Sequence, residues 1–408
     1  MPTRELAADL ADDLVRLRRR LHERPEIGLH LPDTQRAILD ELTGLDLEVT
    51  LGRDLSSVVA VLRGRAPAPM GGARPVVLLR GDMDALPVAE ETGLPYSSRR
   101  PGAMHACGHD LHVAGLVGAA RILHRLRDEL AGDVVLMFQP GEEGPGGAEP
   151  MIREGLLQAA GRPVDTAYAV HVYAGDQPLG VWFSRPGTLM AAADEVYVTV
   201  RGEGGHGASP HRTRDPVPVA CEVVLAMQSM VTRRFSVFDP VVLTVGKVAA
   251  GTKDNIVPDD AHLEATLRTF SADARARAHA YLVRLAEGIA AAHGMEAEVE
   301  VRQGYPVTVN DATELDVVRD TVVDLFGADR WADQVEPEAG SEDMAFVLQR
   351  VPGCYVNIGA CATGDHRTAP DNHSPRARFD EVVVPDVAAL LAELALRRCR
   401  RPASTPAH

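Results

Sequence analysis

The sequence predicts an α/β protein whose larger domain holds a mixed sheet and is interrupted by a small domain of β-α-β-β-α-β order. Three observations predict it. The chain has 408 residues, more than one hydrophobic core ordinarily holds, so two domains are expected. From 58 to 173, short β-branched apolar runs alternate with helical segments, as the buried strands of an α/β sheet do. From about 188 to 302 the rhythm changes to four strand-like runs around two helical ones.

Taken in order, MPTRELAADLADDLVRLRRRLHERPE at 1–26 reads as an amphipathic helix. It carries acids throughout and no apolar h-region, unlike a signal peptide. SVVAVLRG (57–64), PVVLLRGDMDALP (75–87), DVVLMFQP (133–140) and TAYAVHVY (166–173) are the strands of the larger domain. A helix is expected over 109–130, and RGRAPAPMGGARP (63–75) is a turn or loop. Then come DEVYVTVRG, a helix over 215–234, VVLTVGKV, AHLEATLRTF, a helix over 272–292 and EAEVEVRQG. That is the order of a ferredoxin-like unit inserted at 188–302. The α/β pattern resumes after about 303 and closes with a helix near 385–398. The larger domain is therefore expected over 1–187 plus 303–408.

Composition excludes several classes. Aromatics are 4% of residues, too few for a base-stacking platform, and the formal net charge of −16 has the wrong sign for nucleic acid or anionic lipid. No apolar run reaches the length of a membrane span. The five cysteines, Cys107, Cys221, Cys354, Cys361 and Cys399, are odd in number, widely spaced and lack a C-x-x-C pair. That argues against a disulfide framework and for a reducing, cytoplasmic setting. All but Cys107 are expected to be ordinary buried thiols.

MHACGHD at 104–110 packs Met104, His105, Cys107, His109 and Asp110 together. Thiolate and imidazole suit zinc and similar ions, and the helix that follows would favour an ionised thiol. Alone, the stretch reads equally well as a buried Cys beside loop histidines. QPGEEGPGGA (139–148) adds adjacent carboxylates after a strand, YAVHVY (168–173) puts His171 within one, and DNHSPRARFDE (371–381) puts His373 in a loop. Each has a bland reading: an acidic turn, a core histidine, a surface histidine. Together they offer one thiolate, three imidazoles and two carboxylates, enough for two metal ions with a bridging water and one carboxylate left as base. RGDMDALP (80–87) places Asp82 and Asp84 at another strand end, where one could hold a metal-bound histidine. GEGGHG (202–207) also matches G-x-G-x-x-G, but ASPHRTRDPVP follows with three prolines before any helix, so a dinucleotide site is rejected.

The ordered set RGDMDALP, MHACGHDLH, FQPGEEGPGGA, His171–Val172, GEGGHGASPH, DNIVPD, RTF at 268–270, GSEDMAF and NHSP resembles one family over nearly the whole chain. It is that of the dinuclear metallo-amidohydrolases that include hippurate hydrolase, N-acyl-amino-acid deacylases and indole-acetyl-amino-acid hydrolases, within the aminoacylase and glutamate-carboxypeptidase superfamily of metallopeptidases. The resemblance implies two divalent metal ions, zinc, manganese, cobalt or nickel, held by Cys107, His109, Glu143, His171 and His373. It implies Glu142 as general base and Asp84 as the acid behind the ligands, with Asp82 standing where relatives have a metal-binding His. His206 matches a residue that reaches the partner subunit's site, and Asn255 and Arg268 match residues that hold a substrate carboxylate. The inserted domain is then a lid and dimerisation domain, and a homodimer or dimer-based homo-oligomer is expected. The activity implied is hydrolysis of the amide of a small N-acyl-amino acid. A dipeptidase or carboxypeptidase on the same metals is the alternative, and an inactive relative that only binds acyl-amino acids is a third reading. MVTRR at 230–234 and DHRTAPDNHSP at 365–375 depart from the family pattern and bear on substrate fit.

Overall fold

The structure is a computed structural model that describes residues 1–69 and 73–400. The chain divides into two compact units, one of Met1–Gly187, Val309–Val335 and Phe346 to the last described residue, the other of Thr188–Thr308 and Glu336–Ala345.

The first unit is built on an eight-stranded mixed sheet. Its spatial order is Glu48–Leu51, Val58–Arg63, Asp133–Gln139, Val76–Asp82, Thr166–Tyr173, Gly353–Gly359, Trp182–Ser184 and Trp331–Asp333. Asp133–Gln139, Val76–Asp82, Thr166–Tyr173 and Gly353–Gly359 run parallel. Every residue of Val76–Asp82 and Asp133–Gln139 is buried, which explains why these strands read as continuous apolar runs. The helices His109–Arg125 and Val383–Cys399 pack on the sheet and on each other. Their approach depends on small residues: a Cβ on Gly118 would lie 2.6 Å from the Ala388 Cβ. The N-terminal helix Pro2–His22 buries Ala7, Leu10, Leu14, Leu17 and Leu21 at helical spacing against them. Of the expected loop at 63–75, residues 70–72 lie outside the described ones; the strands on either side stop at Arg63 and resume at Val76.

The second unit follows the expected order. The strands Ala192–Arg201, Val241–Ala250, Asp260–Thr269 and Glu296–Gln303 alternate with the helices Pro216–Arg234 and Ala272–Ala292. Its sheet is antiparallel throughout, with Asp260–Thr269 and Ala192–Arg201 central, the ferredoxin-like arrangement. Burial alternates along Ala192–Arg201 because helices cover only one face. The chain returns to the first unit at Val309 because Gly304 and Tyr305 still bond to Ala193. Glu336–Ala345 joins the second unit through backbone bonds between Glu338 and both Leu189 and Ala191.

Two expectations are corrected. Cys221 is exposed, because the buried stripe of its helix runs through Val219, Ala220, Val223, Met227 and Met230 and leaves position 221 facing out. The helix after GEGGHG begins at Pro216, capped by the Asp215 side chain, so two of the three prolines lie in its first turn, where proline is tolerated. Eight residues still separate Gly207 from that helix, so no helix N-terminus faces the glycines.

Candidate active site

Three parallel strands bring their carboxyl ends to one edge of the sheet: Asp82 and Gln139 are paired in register, and Thr166–Tyr173 lies on the other side of Val76–Asp82. The residues that follow these ends form the site, as open α/β sheets favour. The MHACGHD loop is pinned there by backbone bonds between Leu86 and Met104, and its Ala106 carbonyl accepts the N–H of His373 at 2.8 Å. Gly108 then turns the chain into the helix with φ +81°. A side chain there would be strained, and its Cβ would lie 2.3 Å from the Val172 Cγ2.

Asp84 organises its neighbours. Its carboxylate accepts the backbone N–H of Glu142 through one oxygen and that of Glu143 through the other, both at 3.0 Å. Its carbonyl accepts the His109 Nδ1–H at 3.0 Å, so Nε2 is the nitrogen turned toward Glu142 and Glu143. Gly141, at φ +78°, supplies the turn that presents the two amides.

The metal-capable atoms converge in overlapping groups, each within 4.8 Å: Cys107 with His109 and His171, Cys107 with Glu143 and His373, and His109 with Glu142 and Glu143. The Cys107 Sγ lies 3.4 Å from the His171 Nε2, and the His109 Nε2 lies 3.8 Å from the Glu143 Oε1 and 4.0 Å from the Glu142 Oε2. His373 reaches within 3.3 Å of the Glu143 Oε1 from a left-handed backbone conformation, φ +69°. Among the described residues, the buried His109 Nε2 and Glu143 Oε1 have no hydrogen-bond partner. Such atoms call for a positive charge between them, so the donor set fits a metal ion.

The clustered donors also shift one another's pKa values. Burial works against charge on His109, yet Asp82, Asp84 and Cys107 outweigh it and hold its pKa well above the ordinary value. The Cys107 sulfur and the Glu143 carboxylate beside His373 push its pKa up to about 10. Burial, then the Glu143 charge, pushes the Cys107 thiol up. Burial and the neighbouring His112 hold His171 well below the ordinary histidine range, so it stays neutral with a lone pair to give.

Sequence reasoning missed two neighbours. Asn372 accepts the Ala174 N–H at 2.8 Å, donates to the Val172 carbonyl at 3.0 Å, and its amide nitrogen lies 3.6 Å from the Cys107 Sγ. His112 is the other; its spacing from His109, one helical turn on, was the available signal.

The remaining expected residues lie in the second unit. His206 and Asn255 come together there: the Gly205–His206 strand pairs with Ile256–Val257, and the Gly207 N–H donates to the Asn255 carbonyl at 2.9 Å. Both side chains are exposed, and the His206 Nδ1 accepts the Ala208 N–H at 3.0 Å. Arg268, half-buried on Asp260–Thr269, donates to the Ser341 hydroxyl at 3.2 Å. No described helix is long and apolar enough to cross a membrane.

A mixed α/β sheet with this donor set at its edge defines a metal-binding hydrolase scaffold, and the chain belongs to peptidase family M20/M25/M40, matched over residues 78–397. It is 35% identical over 393 residues to thermostable carboxypeptidase 2 of Saccharolobus solfataricus, covering 95% of this chain and 96% of that protein. It is 34% identical over 384 residues to N-acetylcysteine deacetylase of Bacillus subtilis, covering 94% and 96%. Among solved structures it is similar to the Bacillus subtilis YXEP protein, described as a dinuclear metal-binding peptidase of the M20 family. There the TM-score is 0.81 at 31% identity, covering 96% of this chain and 99% of that one. The chain is thus a hydrolase of the family that its motifs resemble.

Proposed function

We propose that this chain is a metal-dependent amidohydrolase that splits the amide of N-acyl-amino acids in a reducing, cytoplasmic setting. The observation that carries the metal reading is the pair of buried, unpartnered atoms, the His109 Nε2 and Glu143 Oε1, among Cys107, His171 and His373. The deacetylase relative supports the substrate class. Cys107, His109, Glu143, His171 and His373 hold two divalent cations, of zinc, manganese, cobalt or nickel. Bound there, these would supply Lewis acidity to a water and to the scissile carbonyl. Glu142 would take a proton from the attacking water on its carboxylate and return it to the departing amine nitrogen. Asp84 keeps Glu142 and Glu143 apart in role by fixing both backbone amides. Arg268 and Asn255 hold the substrate carboxylate, and His206 donates to the developing oxyanion in a partner subunit's site across a homodimer made by the lid domain.

The carboxypeptidase relative supports a second reading, a peptidase on the same metals. Metal-free protein reloaded with each ion and given N-acetyl and N-benzoyl amino acids beside dipeptides separates the two. Faster hydrolysis of the N-acyl-amino acids is the expected result; cleavage of peptides alone contradicts it.

A further inference from the structure

Asp82 stands beside the site as a buried carboxylate, with its Oδ2 3.5 Å from the His109 Nε2. Left free, so close an anion would compete for any cation that His109 holds. It is not free. The Arg80 Nη1 donates to its Oδ2 at 2.5 Å, and the Arg80 Nε is held by the Gln139 Oε1 at 3.0 Å. The His112 Nδ1 lies 2.5 Å from its other oxygen.

The second nitrogen of His112 decides its tautomer. The backbone N–H of Val172 donates to the His112 Nε2 at 2.9 Å. A backbone amide can only donate, so Nε2 carries the lone pair and Nδ1 carries the proton given to Asp82. Both nitrogens are thereby used, in a residue only 2% exposed. The imidazole lies between two expected ligands, with ring centroids 5.3 Å from His109 and 4.8 Å from His171. Val172 follows His171 directly, so its bonded amide belongs to the peptide plane that carries the His171 backbone.

Asp82, His109 and His112 could by distance alone make a metal site. The hydrogen bonds argue otherwise, because a cation at the His112 Nε2 would have to displace the Val172 amide and leave a buried donor unpaired. We propose that His112 is a positioning residue and not a ligand: it engages Asp82 away from the metal position and fixes the backbone that carries His171. This rests on the metal reading of the site given above.

The test begins with wild-type protein labelled with 15N at histidine. The His112 resonances are expected to show the neutral Nδ1–H form in metal-free protein and to keep it on adding zinc, while those of His109 and His171 move. A His112 Nε2 signal that moves as a coordinated nitrogen does overturns the proposal. Two variants then take one tie each. His112→Asn keeps a donor for Asp82 and loses the acceptor for Val172; His112→Gln keeps the acceptor and loses the donor. Chelator competition should give both the wild-type number of zinc ions at about 10- to 100-fold weaker affinity, the scale of a residue behind a ligand. Loss of one ion per chain in either variant makes His112 a ligand. Affinity unchanged in both removes its positioning role, and a fall in the Tm of metal-free protein alone marks a purely structural residue. If wild type itself takes up none of zinc, manganese, cobalt or nickel, the metal reading fails and this inference fails with it, and the wild-type titration tells that failure from the others.

Discussion

One residue, Asp84, aligns three neighbours: its carboxylate holds the Glu142 and Glu143 amides, and its backbone carbonyl holds the His109 imidazole. The two carboxylate oxygens face N–H donors, so an amide in their place would set an NH2 group against one of them. Asp84→Asn is therefore expected to lower metal affinity or turnover by about 10- to 100-fold, although Asp84 need not touch substrate. Metal content and kcat measured side by side check this, and wild-type values for both would remove Asp84 from the site. That Asp84 supports the site was legible, because an acid at a strand end beside ligand candidates is a local pattern. That it grips backbone amides was not, because this depends on a loop turned at Gly141, far off in sequence. Asn372 was hidden for the same reason: its three contacts involve Cys107, Val172 and Ala174. His171 was ambiguous alone, as any histidine in an apolar strand is, and gains meaning from its 3.4 Å approach to Cys107.

At the scale of elements, a buried ionic chain ties the N-terminal helix to the start of the site helix. Asp110 is ion-paired with the Arg18 Nε and lies against the His22 Nδ1, both at 2.8 Å, and the His22 Nε2 lies 3.4 Å from Glu90. Burial raises the Glu90 pKa, but the His22 bond, the Thr92 hydroxyl and the Ser98 N–H outweigh it and hold the carboxyl at about 2, against 4.5 ordinarily. A carboxyl pKa lowered on folding contributes stability above its unfolded value and loses it as pH falls toward the folded one. The Tm gap between wild type and Glu90→Gln, read on metal-free protein, should be constant above about pH 5 and close between 4.5 and about 2. A gap independent of pH over that range would show that Glu90 acts through packing. Most elements were legible here, because strands buried on both faces and helices with one apolar stripe leave plain patterns. The side of Cys221 and the membership of Glu336–Ala345 were not, since the first depends on which helix face is covered and the second on pairing with Leu189 and Ala191.

At the scale of the whole molecule, the proposed homodimer places His206 in a partner's site, which mixing can test. His206→Ala and Glu142→Ala should each be nearly inactive. Random reassociation makes about half the dimers mixed, each with one intact site, so roughly a quarter of all sites should recover. With exchange verified by a mass tag, no recovery would mean that His206 serves its own subunit. The central claim, however, is a division of labour between adjacent glutamates at a metal centre. Its most direct measurement is Glu142→Gln, with bound metal and hydrolysis of an N-acyl-amino acid determined on the same sample. The account predicts wild-type metal content with turnover reduced at least about 100-fold, since the substitution removes a base and no ligand. Metal lost in step with activity would contradict it and reverse the roles of Glu142 and Glu143.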